Sequence, residues 1–122
     1  MVNKSLILIV DDKPQNLQFL GKLLSNDGYE VAMAQSGVQA LTFVKSEFLD
    51  LILLDVMMPE MYGYEVCEKL KAEFPTHNIP VIFLTAKSDA QDIVKGFDVG
   101  GVDYVTKPFH SAELLADRKS VV

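Results

Sequence analysis

Hydrophobic positions along this chain follow two patterns that take turns. One is the short unbroken apolar run: Leu6-Ile7-Leu8-Ile9-Val10, Leu51-Ile52-Leu53-Leu54 and Val81-Ile82-Phe83-Leu84. Runs of this length between turn-forming residues predict strands buried on both faces, here over residues 5–10, 51–54 and 80–85. Residues 30–34 and 102–106 predict two further short strands. The other pattern spaces apolar residues three and four apart, as on the buried face of a helix. Leu17, Leu20 and Leu24 do so after Lys13-Pro14, where proline suits a first helical turn, and Asn26-Asp27-Gly28 ends that helix. Ser36-Gly37-Val38-Gln39 has the form of a capping box, followed by Ala40, Leu41 and Val44. After Pro59, residues 60–64 read as a loop, then Val66, Leu70 and Phe74 mark a third helix that Pro75 closes. Ser88-Asp89-Ala90-Gln91 is a second capping box, with Ile93, Val94 and Phe97 behind it. Gly100-Gly101 is a turn, and a last short helix begins near Ser111.

Strand and helix therefore alternate five times along the chain. Buried strands alternating with amphipathic helices predict an α/β protein, a parallel sheet with helices on both faces. Right-handed crossovers leave few topologies, and the flavodoxin-like, doubly wound order 2-1-3-4-5 is the expectation. In that order the ligand crevice opens at the carboxyl ends of strands 1 and 3.

Composition fits this picture. Of 122 residues, 49% are hydrophobic and 23% charged, as in an ordinary globular domain with a full core. The expectation is one domain over residues 1–122, with its core at about 5–116 and residues 117–122 frayed. Cys67 is the one cysteine, which excludes a disulfide framework and any CxxC motif. The apolar run at Leu6–Val10 is too short for a signal peptide or a membrane span, so no membrane association and a cytoplasmic location are expected. The net charge of −6, with no Lys/Arg cluster, argues against direct nucleic-acid binding by this chain.

The candidate chemistry lies where the strands end. Strand 1 runs into Asp11-Asp12, strand 3 into Asp55, strand 4 into Thr85, and Lys107 follows strand 5. A lone aspartate there is as readily a cap or turn residue as a functional group. Collected at one edge, however, carboxylates repel: a pair ~4 Å apart costs ~4 kcal/mol at an effective dielectric of ~20. Lys107 offsets part of this, and a divalent cation the rest. All-oxygen ligands favour a hard ion such as Mg2+, with Mn2+ as the alternative. Mg2+ keeps open positions for phosphate oxygens, and a carboxylate can attack phosphorus to give an acyl phosphate. Thr85 could hydrogen-bond a phosphoryl oxygen.

Asp11-Asp12, Leu-Leu-Asp55-Val-Met-Met-Pro59, Leu-Thr85-Ala86 and Asp-Tyr104-Val-Thr-Lys107-Pro108-Phe109 together resemble the receiver domain of two-component response regulators, the CheY-like superfamily, over about residues 5–116. The resemblance implies that Asp55 accepts a phosphoryl group from the phosphohistidine of a histidine kinase or phosphotransfer protein. It implies Mg2+ held by Asp12, Asp55 and the backbone carbonyl of Met57, with Asp11 acting through a metal-bound water. Lys107 and Thr85, with the backbone of Ala86, would bind the phosphoryl oxygens, and the Lys107–Pro108 peptide bond would be cis. Thr85 and Tyr104 would form a switch read out on the fourth helix, fifth strand and fifth helix. Met57 and Lys87 would occupy positions that tune the lifetime of the acyl phosphate. One departure is Asp117-Arg118-Lys119, polar where such domains continue an aliphatic helix face, which leaves dimerisation through that helix open. The chain would be a stand-alone receiver or part of a longer regulator or hybrid kinase, with an output domain fused or separate. Two other readings stay open here. One is a pseudo-receiver, an interaction module that is not phosphorylated. The other is a small phosphohydrolase, disfavoured because Met57 stands where its second acid would be.

Overall fold

A computed structural model describes residues 5–56, 58, 61, 63–73, 76–85 and 103–106. In chain order the elements are β1 (Leu6–Val10), α1 (Pro14–Asn26), β2 (Glu30–Ala34), α2 (Gly37–Phe43), β3 (Leu51–Asp55), α3 (Gly63–Ala72), β4 (Val81–Thr85) and β5 (Asp103–Thr106). The strands form one parallel sheet in the order β2-β1-β3-β4-β5, as expected from the alternation of elements. The proposed helices after Ser88 and near Ser111 lie outside the described residues, as do Phe74 and Pro75.

Alternation along each strand sorts the core into two layers. Ile7, Ile9, Leu51, Leu53, Ile82 and Leu84 pack with Leu17, Leu20 and Leu24 of α1. Leu8, Val10, Ile52, Leu54, Val81 and Phe83 pack on the other side with Ala40 of α2 and Val66, Cys67 and Leu70 of α3. Every residue of β3 is buried, which is why its sequence is unbroken in hydrophobicity rather than alternating.

The helix ends follow local chemistry. Gly28, at φ 94°, ends α1. Its N–H reaches the carbonyl of Ser25, and that of Tyr29 reaches Leu24, the paired bonds of a Schellman motif. Leu24 and Tyr29 also share one apolar cluster. At α2, Ser36 Oγ accepts the Gln39 N–H at 3.1 Å as the capping box requires. The returning bond differs from the expected reciprocal one: Gln39 Oε1 accepts from the N–H of Gln35, not of Ser36. Two boundaries also differ. Pro80 precedes β4, because it has no N–H to donate, although its carbonyl still accepts from Ile52. Gly63 and Tyr64, expected in a loop, open α3, and Tyr64 is buried against Phe83 with ring centroids 5.0 Å apart.

Two polar contacts stitch strand starts to neighbouring elements. Asp50 Oδ2 accepts the Leu6 N–H at 2.7 Å, and the Asp50 N–H donates to the Leu6 carbonyl. The Lys71 ammonium donates to the carbonyls of His77 and Ile79, securing the turn before β4. Burial lowers the pKa of that ammonium. No described helix is long and apolar enough to cross a membrane.

Cys67 supplies a test of the packing. It is fully buried, and burial, opposed by Lys71 and reinforced by Glu68, pushes its thiol up from 9.0 to about 11. A thiol reagent should therefore label it only as fast as the protein opens, with urea accelerating labelling in step with loss of helical circular dichroism. The folded thiol keeps its proton where the unfolded one ionises, so this contribution to stability is complete below pH ~9 and is lost as pH rises through about 11. Cys67→Ala should remove that part of the alkaline decline.

Candidate functional site

The sheet register brings the acidic residues together. Val10 pairs with Leu54, so the next residues along, Asp11 and Asp55, emerge side by side at the carboxyl edge. Both continue the alternation of Ile7, Ile9, Leu51 and Leu53, which places them on the α1 side of the sheet. Asp12 follows one residue later and is half-buried. Each of Asp11, Asp12 and Asp55 offers a carboxylate oxygen to a group lying within 4.8 Å of one another. Asp11 is fully buried and Asp55 is 2% exposed.

Asp11 and Asp12 differ in their partners. Asp11 Oδ1 accepts the Lys13 N–H at 2.9 Å, and Asp11 Oδ2 accepts from Asn16 Nδ2 at 3.0 Å. Both donors belong to the start of α1, where free backbone N–H groups and the helix dipole favour negative charge. Asp12 Oδ1 is buried with no hydrogen-bond partner among the described residues. An unpaired buried carboxylate oxygen is costly unless a cation meets it. Three close carboxylate oxygens, one of them orphaned, are the donor set of a hard divalent cation, so the residues present fit Mg2+.

Backbone contacts hold Asp55 in place from both sides. The Val56 N–H donates to the Leu84 carbonyl at 3.0 Å, and the Gly63 N–H donates to the Val56 carbonyl at 2.9 Å. The second bond closes the loop between β3 and α3. A Cβ on Gly63 would collide with the Asp55 carbonyl oxygen and stand 3.0 Å from Val56 Cα. Only glycine lets α3 start this close to the end of β3. Met58 is buried in the core, and Met61 packs over Gly37 at the start of α2.

Of the other residues singled out by sequence, Thr85 ends β4 and Tyr104 lies in β5, two strands hydrogen-bonded side by side. Thr85 ends its strand at the same edge as Asp55, since Asp55 pairs with Leu84. Met57, Ala86, Lys87, Lys107 and Pro108 lie outside the described residues. Reasoning from sequence missed Asn16 and the closeness that Gly63 permits. A polar residue in the first turn of α1, five positions after Asp11, was the available signal for Asn16. Glycine at a helix start was the signal for Gly63.

A buried acidic cluster lies at the carboxyl edge of a five-stranded parallel sheet, between β1 and β3, where open α/β sheets bind their ligands. The profile of the response regulator receiver domain matches residues 7–118, and this chain belongs to that family. It is 44% identical, over 99% of its length, to the probable transcriptional regulator ycf27 of Cyanophora paradoxa, of which it covers 49%. It is 48% identical over 92% of its length to a probable cyclic di-GMP phosphodiesterase of Vibrio cholerae, of which it covers 25%. The chain thus spans half or less of these relatives. Among solved structures, it is similar to the receiver domain of the sensor histidine kinase PA1611 from Pseudomonas aeruginosa, with a magnesium ion in that protein's active-site cleft. The TM-score is 0.89 at 30% identity, covering 98% of both chains. The chain is accordingly a phospho-accepting receiver domain of two-component signalling. Domains of this family bind Mg2+ in the acidic pocket and interact with histidine kinases or phosphotransfer proteins. The pseudo-receiver reading is not favoured, since the acid cluster is intact.

Gly63→Ala should separate α3 from the Asp55 backbone. The expected result is a loss of roughly 2 kcal/mol or more in urea unfolding, in the range for a steric clash in packed structure, together with weaker Mg2+ binding. Gly21→Ala is the comparison, because its new Cβ meets the flexible tip of Met33 and should leave Mg2+ binding unchanged.

Proposed function

We propose that Asp55 is the residue that takes the phosphoryl group, from the phosphohistidine of a histidine kinase or histidine phosphotransfer protein. The cluster of Asp11, Asp12 and Asp55 with its orphaned Asp12 oxygen is the observation that carries this reading. Asp55 stands at the end of a fully buried strand, so its carboxylate is presented on a rigid support. In the transfer, an Asp55 oxygen bonds to phosphorus as the bond from phosphorus to the donor imidazole nitrogen breaks, and that nitrogen takes a proton from solvent. The product is an acyl phosphate.

Asp12 and Asp55, with the backbone carbonyl of Met57, would hold Mg2+ or Mn2+, and Asp11 would act through a bound water. The cation supplies positive charge that offsets the phosphoryl and carboxylate oxygens. Lys107 would pair with phosphoryl oxygens, beside the backbone of Ala86 and the hydroxyl of Thr85, with the Lys107–Pro108 bond cis. A phosphoryl group adds about −1.5 to −2 charge and three acceptors. A hydrogen bond to such a group is worth roughly 1.5–3 kcal/mol, enough to shift a two-state loop by one to two decades. Thr85 would be drawn toward the phosphoryl group and Tyr104 would follow, altering the surface of the fourth helix, fifth strand and fifth helix. Met57 and Lys87 would set how long the acyl phosphate lasts. The domain spans residues 1–122, works in the cytoplasm, and serves an output domain that is fused or separate.

Incubation with a small acyl-phosphate donor and Mg2+ should add one phosphoryl group by intact mass. Asp55→Asn or EDTA should abolish it, and a wild-type mass gain in Asp55→Asn would sink the assignment. Beryllofluoride with Mg2+ should shift amide resonances around Thr85 and Tyr104. In Thr85→Ala the mass gain should persist while the shift at Tyr104 shrinks.

A further inference from the structure

We infer that Asn16 is a positioning residue for the metal site, acting through Asp11. The inference rests on the reading of Asp11, Asp12 and Asp55 as the Mg2+ and phosphoryl site. Its basis is the bond from Asn16 Nδ2 to Asp11 Oδ2 at 3.0 Å. A carboxylate only accepts, so the amide must turn its nitrogen to Asp11, which fixes the orientation of Asn16. The partner bond, Lys13 N–H to Asp11 Oδ1, comes from backbone that any residue at position 13 except proline would provide. Asn16 is therefore the contact to Asp11 from α1 that depends on side-chain identity.

The geometry gives this contact a purpose beyond helix capping. Asn16 is half-buried in the first turn of α1, with Gln15 exposed beside it. The α1 N-terminus is already organised by Pro14 and by backbone bonds from Asn16 and Leu17 to the Lys13 carbonyl. The side chain of Asn16 is thus free to serve Asp11. Each Asp11 oxygen carries two lone pairs, of which the bond to α1 uses one. With Asp11 gripped at both oxygens, the lone-pair directions are fixed relative to Asp12 and Asp55. Asp11 is then preset to receive a metal-bound water, while Asp12, whose Oδ1 lacks a partner among the described residues, is left to meet the ion directly. Without Asn16, Asp11 would keep the Lys13 N–H but lose its side-chain contact to α1, and its carboxylate would be less tightly oriented before the ion binds.

Loss of an outer partner of this kind typically weakens metal binding about 10-fold or more. Asn16→Ala should therefore raise the Mg2+ dissociation constant about 10-fold in calorimetric titration. At saturating Mg2+, phosphorylation by a small acyl-phosphate donor should return close to the wild-type rate, because Asp55 is untouched. Alanine is the better helix former, so the fold should survive. A readout that needs no variant is the Asn16 side-chain amide resonance in the wild-type protein. It should shift on Mg2+ addition with the same midpoint as the backbone amide of Asp12. Unchanged Mg2+ affinity in Asn16→Ala, or a side-chain resonance that ignores Mg2+, would overturn the inference. Absence of any phosphoryl uptake by the wild type would instead remove the Asp55 assignment beneath it.

Discussion

Repulsion among three carboxylates at one sheet edge is the constraint around which this domain is built. Asp11, Asp12 and Asp55 are held within 4.8 Å of each other on backbone that cannot relax away. β1 and β3 are locked side by side in register, and both are buried against helices on either face. Left alone, the side chains would spread into solvent. The sheet register fixes their backbone side by side, and domains of this family bind Mg2+ in such an acidic pocket.

Supporting contacts serve that edge at short range. α1 brings the Lys13 N–H and the Asn16 amide onto Asp11. α3 begins directly against the end of β3 because Gly63 has no Cβ. These contacts come from elements that follow their strands immediately, so the strand-to-helix connections that build the site also fasten it. More distant bonds do a different job. Asp50 ties down the start of β1, and Lys71 secures the turn leading into β4. Both act at the opposite, amino edge of the sheet, where they keep the strands in register rather than touch the chemistry.

The relatives show how portable such a unit is. The chain covers 49% of a probable transcriptional regulator and 25% of a probable cyclic di-GMP phosphodiesterase at similar identity. The receiver-domain match covers residues 7–118 of this chain, and the relatives that share it are named for different activities. The same switch can therefore accompany unrelated activities.

The sequence by itself determined the order of elements, the sheet topology and the residues at the acidic edge. Those properties follow from periodicity, turn chemistry and the few connections a parallel sheet allows, all of which are local or combinatorial. Short uninterrupted runs such as Leu51–Leu54, set between turn residues, read as buried strands, and in the expected topology the carboxylates ending two of them share a rim, as the register shows. Tertiary structure alone decided the rest. That Asp12 keeps an orphaned oxygen while Asp11 is gripped by Asn16, that the Gln39 side chain caps Gln35, and that α3 starts at Gly63 all depend on how a helix meets the strand before it and on rotamer choice. Those contacts are set when the helices dock on the sheet, and the chain offers only hints of them, a polar residue in the first turn of α1 and a glycine at the start of α3.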